Sequence, residues 1–172
     1  SDVYKRQDST CRPYKGQDEG RSNPRRLEDK LYWWKRIAAR ILYDELNPGI
    51  DPLGPENKLI FMTGPLTGTM CPASGRYAVY AMSPLTGVWG ESHSGGHFGP
   101  ELKFSRFDGI IFEGRSEKPV YLLIDDGKPE LRSAEDLWGK DKHETEEMIF
   151  SYRSETKKSA ECAVKQPSHS SG

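Results

Sequence analysis

The chain has 172 residues, of which 34% are hydrophobic and 30% are charged, and its mean hydropathy is −0.78. Its 25 basic and 26 acidic side chains give a formal net charge of −1, so no overall field attracts nucleic acid or an anionic membrane. No apolar run reaches the roughly 18 residues of a membrane span, and no signal peptide is recognised. Three scattered cysteines predict neither a disulfide framework nor a paired-cysteine metal site. We therefore expect a cytoplasmic protein that binds neither nucleic acid nor membranes.

Apolar residues are concentrated in the middle of the chain. Only five of the first 30 residues and six of the last 23 are apolar. Segments this polar bury too little apolar surface to offset the entropy lost on ordering the chain. The sequence therefore predicts one folded domain over residues 37–149, with polar segments at 1–36 and 150–172.

Hydrophobic periodicity predicts few helices and several strands in this domain. A helix is expected over residues 37–46, because apolar side chains recur on one face and a proline follows its end. A short helix is expected to end at Trp138, and another begins at His143 but is not sustained beyond Ile149. The result is an α+β domain dominated by β-structure. The predicted strands are 58–62, 77–82, 109–113, 120–125 and, after a hairpin turn at Asp126-Gly127, 130–132.

Glycine is concentrated in the centre of the chain. Eleven of the 17 glycines lie between Gly54 and Gly114, a segment with only four basic residues. Such enrichment is typical of tight turns or of backbone that closely approaches a ligand. The tetrapeptide Pro-Leu-Thr-Gly at 65–68 recurs at 84–87, and a Ser-Gly pair follows each copy, at 74–75 and 94–95.

Two interpretations of this repeat are open. Two related loops can offer backbone N–H groups to anionic oxygens, and Arg76 can add a bidentate guanidinium. Alternatively, both copies are ordinary turns and Arg76 is a surface residue of a strand.

Other chemically active side chains carry weaker signals. His93 and His97 have the spacing of a metal pair on a helix, but the two glycines between them disfavour a helix, and no third ligand is visible. Cys71 has no base placed by spacing to activate a thiolate, which favours a loop residue over a nucleophile. Glu91 and Glu101 are expected to be solvated carboxylates rather than an acid and base pair.

A series of long motifs in fixed order identifies a family. Together these motifs resemble the N-terminal domain of the tungsten-containing aldehyde ferredoxin oxidoreductases. The resemblance spans residues 37–149. The motifs occupy residues 51–60, 63–69, 74–77, 83–87, 92–103, 107–114, 117–121, 137–139 and 144–146.

This resemblance implies a reaction and its cofactors. Family members oxidise aldehydes to carboxylic acids, with water as the oxygen source, and pass two electrons to ferredoxin. Tungsten, or molybdenum in some relatives, is held by dithiolenes of two pterins beside one [4Fe–4S] cluster. The implied fold is a β-rich base of two interlocked repeats, incomplete here, on which the pterin lies. The implied partners are ferredoxin, the aldehyde, later domains of the same enzyme and, as one option, a second copy in a homodimer.

The resemblance also implies which residues contact the cofactor. Arg76 matches the family's pterin-contacting arginine in a Gly-Arg-Tyr motif. His93, Ser94 and Gly95 match an Asn-Ser-Gly segment that also contacts the cofactor, and His93 replaces the asparagine of the best-known members. The cluster cysteines and catalytic acids belong to later domains, so no catalytic or metal-binding residue is expected in this chain. We therefore do not assign its cysteines, Cys11, Cys71 and Cys162, to iron.

The two terminal segments depart from the family pattern. Residues 32–36 stand where relatives have a Gly-Gly-Arg-Gly type motif, and residues 2–7 look like a translated transposon end from a sequencing library. Residues 150–172 resemble neither the strand nor the second pterin loop that relatives carry there. We therefore expect 1–36 to be disordered or mistranslated, 150–172 to be a non-family polar tail, and the chain alone to be inactive. The alternatives are a non-catalytic ligand-binding module and a truncated product without function.

Overall fold

The structure is a computed structural model that describes residues 10–14, 34–125, 127–153 and 159–162. Eight strands and three α-helices are described, which confirms the α+β fold dominated by strands. In chain order the elements are β1 (Thr10–Tyr14), α1 (Trp34–Glu45), β2 (Lys58–Thr63), β3 (Tyr77–Met82), β4 (Trp89–Ser94), α2 (Phe98–Phe104), β5 (Gly109–Glu113), β6 (Val120–Asp125), β7 (Lys128–Ser133), a 3-10 turn (Glu135–Leu137), α3 (Lys142–Arg153) and β8 (Ser159–Cys162).

The first sheet contains five antiparallel strands in the order β1-β5-β2-β3-β4. Strands β2, β3 and β4 follow one another as a meander. Thr63 at the end of β2 is opposite Tyr77 at the start of β3, and Tyr77 is in turn opposite Ser94 at the end of β4. These three residues therefore lie at the same end of the sheet, and this end carries the candidate site.

Helix α1 packs on one face of this sheet. Its buried residues are the adjacent Ile37 and Ala38 and, four positions after Ala38, Leu42, so they share one side of the helix. They contact a cluster of sheet residues that alternate along the strands and hence point to the same face. These sheet residues are Ile60, Met62, Ala78, Tyr80 and Ile111.

The opposite face of the sheet packs against α2 and the second sheet. Phe61 and Ile110 point to this side and join Leu102 of α2 in one buried cluster. Leu122 and Ile124 of β6 belong to the same cluster, so the two sheets share a core. The first sheet therefore lies between α1 on one side and α2 with the second sheet on the other.

The second sheet has the order β7-β6-β8, and both pairs are antiparallel. The predicted hairpin is confirmed by the pairing of β6 with β7, and Gly127 has a φ of +77°, as a tight turn requires. Asp126, the other predicted turn residue, lies outside the described residues. None of the described helices is both long and apolar enough to cross a membrane.

Four of the described elements were not predicted from the sequence. Two of them, β1 and β8, lie in the polar terminal segments, where no strand was expected. The other two are β4 and α2. Strand β4 contains Gly90 and two serines instead of alternating apolar residues. Helix α2 has Gly99 and Pro100 in its first turn. A Gly-Pro pair usually indicates the end of a helix, but proline is tolerated in the first turn.

The predicted α1, β2, β3, β5 and β6 are confirmed, with α1 beginning three residues earlier and β2 ending one residue later than expected. The prediction that the helix from His143 stops at Ile149 is wrong, because α3 continues to Arg153.

Candidate functional site

The candidate site lies where β3 begins and β4 ends. Tyr77 and Ser94 are opposite each other, so Arg76 precedes and Gly95 follows a pair of facing residues. Two short segments thus meet at this end of the sheet. We call residues 74–76 and 94–96 the glycine corner. It consists of Ser74, Gly75, Arg76, Ser94, Gly95 and Gly96.

Close backbone packing holds the glycine corner against α2. A Cβ at Gly99 would lie 3.1 Å from the Gly75 carbonyl oxygen and 3.2 Å from Cγ2 of Thr67. A Cβ at Gly75 would lie 3.4 Å from the carbonyl oxygen of Gly96. Larger residues at Gly99 would force these segments apart, so glycine is needed for the close approach.

The outer side of the glycine corner is open. A Cβ placed on Gly95 or Gly96 would meet no atom within 4 Å. Gly95 and Gly96 are exposed, and Gly96 has a φ of +90°. Consecutive exposed glycines let a ligand reach the backbone without a side chain in between.

Thr67 links the first Pro-Leu-Thr-Gly copy to this corner. Its Oγ1 accepts a hydrogen bond from the Gly64 N–H at 2.9 Å and donates one to the Arg76 carbonyl at 3.1 Å. Its side chain is buried, with 5% of the residue exposed. The threonine therefore holds the backbone from which the Arg76 side chain extends.

The Arg76 side chain is available to an anion. The residue is exposed, and no hydrogen bond or ion pair of its guanidinium is found among the described residues. By contrast, Lys58 pairs with Glu45 and Glu113 at 3.1 and 2.6 Å, and Lys103 pairs with Asp108. An unpaired guanidinium beside exposed backbone N–H groups is a suitable receptor for phosphate oxygens.

His93 lies on β4, and its side chain points to the opposite face of the sheet from that of Ser94. It is opposite Ala78, so it points to the α1 face, whereas Ser94 points to the α2 face. Its Nε2 lies 2.6 Å from Oε1 of Glu91. The imidazole is half exposed, and only Nδ1 remains to meet a ligand.

Glu91 is the most strongly perturbed carboxylate of this region. Lys35 Nζ lies 2.5 Å from its Oε2, and the Trp89 indole N–H donates to the same oxygen at 3.2 Å. These contacts and His93 lower the pKa of Glu91 to about 2, with the hydrogen bond from Lys35 as the largest cause. The expectation of a solvated carboxylate is therefore wrong, because the side chain is only 16% exposed and both oxygens have partners.

The pKa of Tyr80 is also shifted. Its phenol is buried on the α1 face opposite Glu91, and its ring lies 4.9 Å from that of Trp89. Burial, followed by the negative charge of Glu91, raises its pKa to about 12. The Tyr80 hydroxyl therefore stays protonated at neutral pH and contributes no charge to the site.

The two Pro-Leu-Thr-Gly copies do not line one site. The first follows β2 and the second follows β3, and these strands are antiparallel. Six-residue strand β3 separates them by about 17 Å at 3.4 Å per residue. The interpretation in which both copies offer their backbone to one anion is therefore wrong. Only the first copy, with both Ser-Gly pairs, lies at the glycine corner.

The remaining candidates do not assemble a further site. Cys71 is an exposed free thiol whose backbone N–H donates to Oγ1 of Thr69. His97 lies in the connection after β4, apart from the His93–Glu91 pair. Among the described residues, no three His, Cys, Asp or Glu side chains form a group that would hold a metal ion.

The glycine corner has the groups that an anionic cofactor requires. Its exposed glycines leave room against the backbone, and Arg76 supplies one positive charge. A pterin carrying phosphate needs such N–H donors and a cation but no broad basic surface. The residues present are therefore compatible with a pterin phosphate.

A protein-family comparison identifies the family of this chain. The family model described as "Aldehyde ferredoxin oxidoreductase, N-terminal domain" matches residues 21–167. The chain belongs to this family. Membership in the aldehyde ferredoxin oxidoreductases confirms the predicted family and an oxidoreductase relationship. The predicted domain limits at 37 and 149 stay a prediction.

Curated relatives of the aldehyde ferredoxin oxidoreductase family are similar over most of the chain. The tungsten-containing aldehyde ferredoxin oxidoreductase of Pyrococcus furiosus is 52% identical over 123 residues, which are 72% of this chain and 20% of that protein. The enzyme of the same name from Thermococcus kodakarensis is 54% identical over 123 residues, with the same coverage. The chain thus spans about a fifth of the length of these relatives.

A solved structure has the same fold. It is the active site complex BamBC of benzoyl coenzyme A reductase, in complex with 1,5-dienoyl-CoA. The TM-score is 0.71 at 40% identity, and the match covers 79% of this chain and 21% of that chain. The alternatives of a non-catalytic ligand-binding module or a truncated product without function are not favoured by these matches.

Proposed function

We propose that this chain is the cofactor-facing base of a tungsten-containing aldehyde ferredoxin oxidoreductase. The observation that carries the proposal is the unpaired, exposed Arg76 guanidinium beside the open glycine corner. The names and the 52–54% identity of the curated relatives support the tungsten cofactor and the reaction class. The cofactor is a bis-pterin of tungsten, or of molybdenum, with a [4Fe–4S] cluster whose ligands belong to the remaining domains.

The proposed reaction converts an aldehyde and water into a carboxylic acid, two protons and two electrons. The electrons pass to ferredoxin, and the bound metal supplies the two-electron chemistry. This chain contributes no group that reacts with the aldehyde. Its part is to bind and orient the cofactor so that the remaining domains enclose the substrate.

Each residue of the site has a separate part in that binding. Arg76 neutralises phosphate oxygens with a two-pronged guanidinium, which also fixes their orientation. The backbone N–H groups of Gly95 and Gly96 and the hydroxyl of Ser94 donate further hydrogen bonds. His93 offers Nδ1, because Glu91 occupies its other ring nitrogen.

The experiment removes Arg76 from the full-length enzyme that carries this segment. Hydrogen bonds to charged groups contribute about 1.5–3 kcal/mol, so Arg76→Ala is expected to weaken cofactor retention by about tenfold or more. Tungsten by elemental analysis and pterin by fluorescence after oxidation, both per protein, measure the loss. Unchanged tungsten and pterin contents in Arg76→Ala would contradict the proposal.

Arg115→Ala is the matched control. Arg115 is also exposed, but it follows β5 and lies at the sheet end opposite the glycine corner, because Glu113 faces Lys58 at the start of β2. Its removal changes net charge equally. Wild-type tungsten and pterin contents are therefore expected in Arg115→Ala.

A further inference from the structure

The two Pro-Leu-Thr-Gly copies have identical sequences but different surroundings. Thr67 in the first copy is 5% exposed and sits against α2, with Cγ2 3.2 Å from the position of a Cβ on Gly99. Thr86 in the second copy is exposed in the turn between β3 and β4. No hydrogen bond of the Thr86 hydroxyl is found in the described part of the chain. A difference this large indicates that only the first threonine has a role in the fold of the site.

The Thr67 hydroxyl is used once as acceptor and once as donor. It accepts from the Gly64 N–H at 2.9 Å and donates to the Arg76 carbonyl at 3.1 Å. Its methyl group meanwhile fills the space beside Gly99. A single side chain thus connects the start of the loop after β2, the residue before β3 and helix α2.

The hydrogen bond from Thr67 holds the backbone of Arg76 and does not involve its side chain. The carbonyl of Arg76 belongs to the last residue before the paired part of β3, where no strand partner fixes the backbone. The Arg76 guanidinium itself makes no hydrogen bond or ion pair among the described residues that would hold the side chain in place. The bond from Thr67 therefore fixes the Arg76 backbone together with the packing of Gly75 and Arg76 against Gly99 of α2.

We infer that Thr67 is a positioning residue that sets the place from which Arg76 reaches the anionic cofactor. This inference rests on the cofactor-binding role proposed for Arg76. Thr67 itself does not touch the cofactor in this scheme. It acts through the Arg76 backbone, and the equivalent Thr86 has no such action.

The test compares three substitutions in the full-length enzyme that carries this segment. Thr67→Val keeps the shape but removes both hydrogen bonds, and Thr67→Ser keeps the hydroxyl but removes the methyl group. Thr86→Val is the matched control, with the same change in the same tetrapeptide. Pterin and tungsten per protein are expected to fall at least severalfold in Thr67→Val, to stay near wild type in Thr67→Ser, and to be unchanged in Thr86→Val.

A double variant separates positioning from a purely structural role. If Thr67 acts through Arg76, adding Thr67→Val to Arg76→Ala causes no further loss of cofactor. A purely structural role would make the two losses multiply, which would overturn the inference. If Thr67→Val does not fold, Thr67→Ala enters the same comparison, because it removes the hydroxyl without placing a second methyl against the Gly64 N–H.

The outcomes also separate this inference from the proposed function. Wild-type cofactor content in Thr67→Val, together with loss in Arg76→Ala, overturns the positioning role and leaves the role of Arg76 intact. Wild-type content in Arg76→Ala overturns the role of Arg76 itself. Loss in Thr67→Val with rescue by Thr67→Ser is the result that supports the inference.

Discussion

Glu91 shows how one residue can organise its neighbours on a half-exposed strand. Oε1 faces His93, whereas Oε2 receives Lys35 of α1 and the Trp89 indole. Because Lys35 comes from a helix and the other two from β4, the carboxylate connects α1 to the edge of the sheet. It also fixes which imidazole nitrogen of His93 faces outward.

The lowered pKa of Glu91 predicts a pH-dependent stability. The folded-state pKa of about 2 is below the ordinary value of 4.5, so the ionised carboxylate stabilises the fold above pH 4.5. This contribution is lost as the pH falls from 4.5 toward 2. In thermal melts of the full chain between about pH 2 and pH 7, Glu91→Gln is expected to lower Tm at the upper end and to converge with wild type at the lower end.

Glu101→Gln is the control for this series, because Glu101 is exposed on α2 and has no ion pair among the described side chains. Its Tm is expected to stay close to that of wild type. A difference in Tm between wild type and Glu91→Gln that stays constant down to about pH 2 would contradict the role given to the Glu91 charge.

Sequence reasoning located part of the site at this scale. Arg76, Ser94 and Gly95 are identified from motifs, and the structure places them together at the glycine corner. Thr67 was not identified, because its tetrapeptide is identical to that of Thr86 and local sequence cannot tell a buried copy from an exposed one. The difference arises from α2, which packs only against the first copy.

At the scale of elements, α1 contributes to stability by covering one face of the first sheet. Leu42 is buried between the helix and the sheet, in the cluster that includes Ile60 and Tyr80. Truncating a buried leucine removes apolar contacts and leaves a cavity, which typically costs about 2–5 kcal/mol. Leu42→Ala is therefore expected to lower the free energy of unfolding of the full chain by about this amount in urea titrations.

Leu85→Ala provides the comparison for this substitution. Leu85 is 92% exposed in the turn between β3 and β4, so the same truncation removes little buried surface. A change within about 0.5 kcal/mol is expected. Equal effects of Leu42→Ala and Leu85→Ala would show that α1 does not pack on the sheet as described.

Elements with an apolar pattern of their own were predictable from the sequence, and elements that form only by pairing with a neighbouring strand were not. Strands β3, β5 and β6 have the predicted limits because β-branched and aromatic residues fill them. In β4 only Trp89 packs against a core cluster, and the strand forms through backbone pairing with β3. Such pairing depends on the neighbouring strand, so the strand preferences of the individual residues do not predict it.

At the scale of the whole molecule, the two sheets share one of the two core clusters. Leu122 and Ile124 of the second sheet pack with Phe61 and Ile110 of the first. Neither sheet can lose this contact without exposing apolar side chains of the other. We therefore expect the described parts of both sheets to unfold in a single transition.

Tryptophan fluorescence can test this cooperativity. Trp89 reports on the first sheet, and Trp138 follows the 3-10 turn that comes after the second sheet's β7. In urea titrations of two variants of the full chain, one retaining only Trp89 and the other only Trp138 as tryptophan, each fluorescence curve is expected to coincide with far-UV circular dichroism. Separate fluorescence and dichroism midpoints within either variant would indicate that the sheets unfold independently.

The repeated tetrapeptide has a topological consequence. In an antiparallel meander, consecutive connections emerge at alternate ends of the sheet, so a motif copied one connection later always changes ends. The Ser-Gly pair returns at 94–95, two connections after its first occurrence, and therefore comes back to the same end. Two copies of a motif therefore lie at the same end of the sheet only when an even number of connections separates them, however similar their sequences are. The first tetrapeptide is thus constrained by its contacts with the Arg76 backbone and α2, while the second is as free to change as any surface turn.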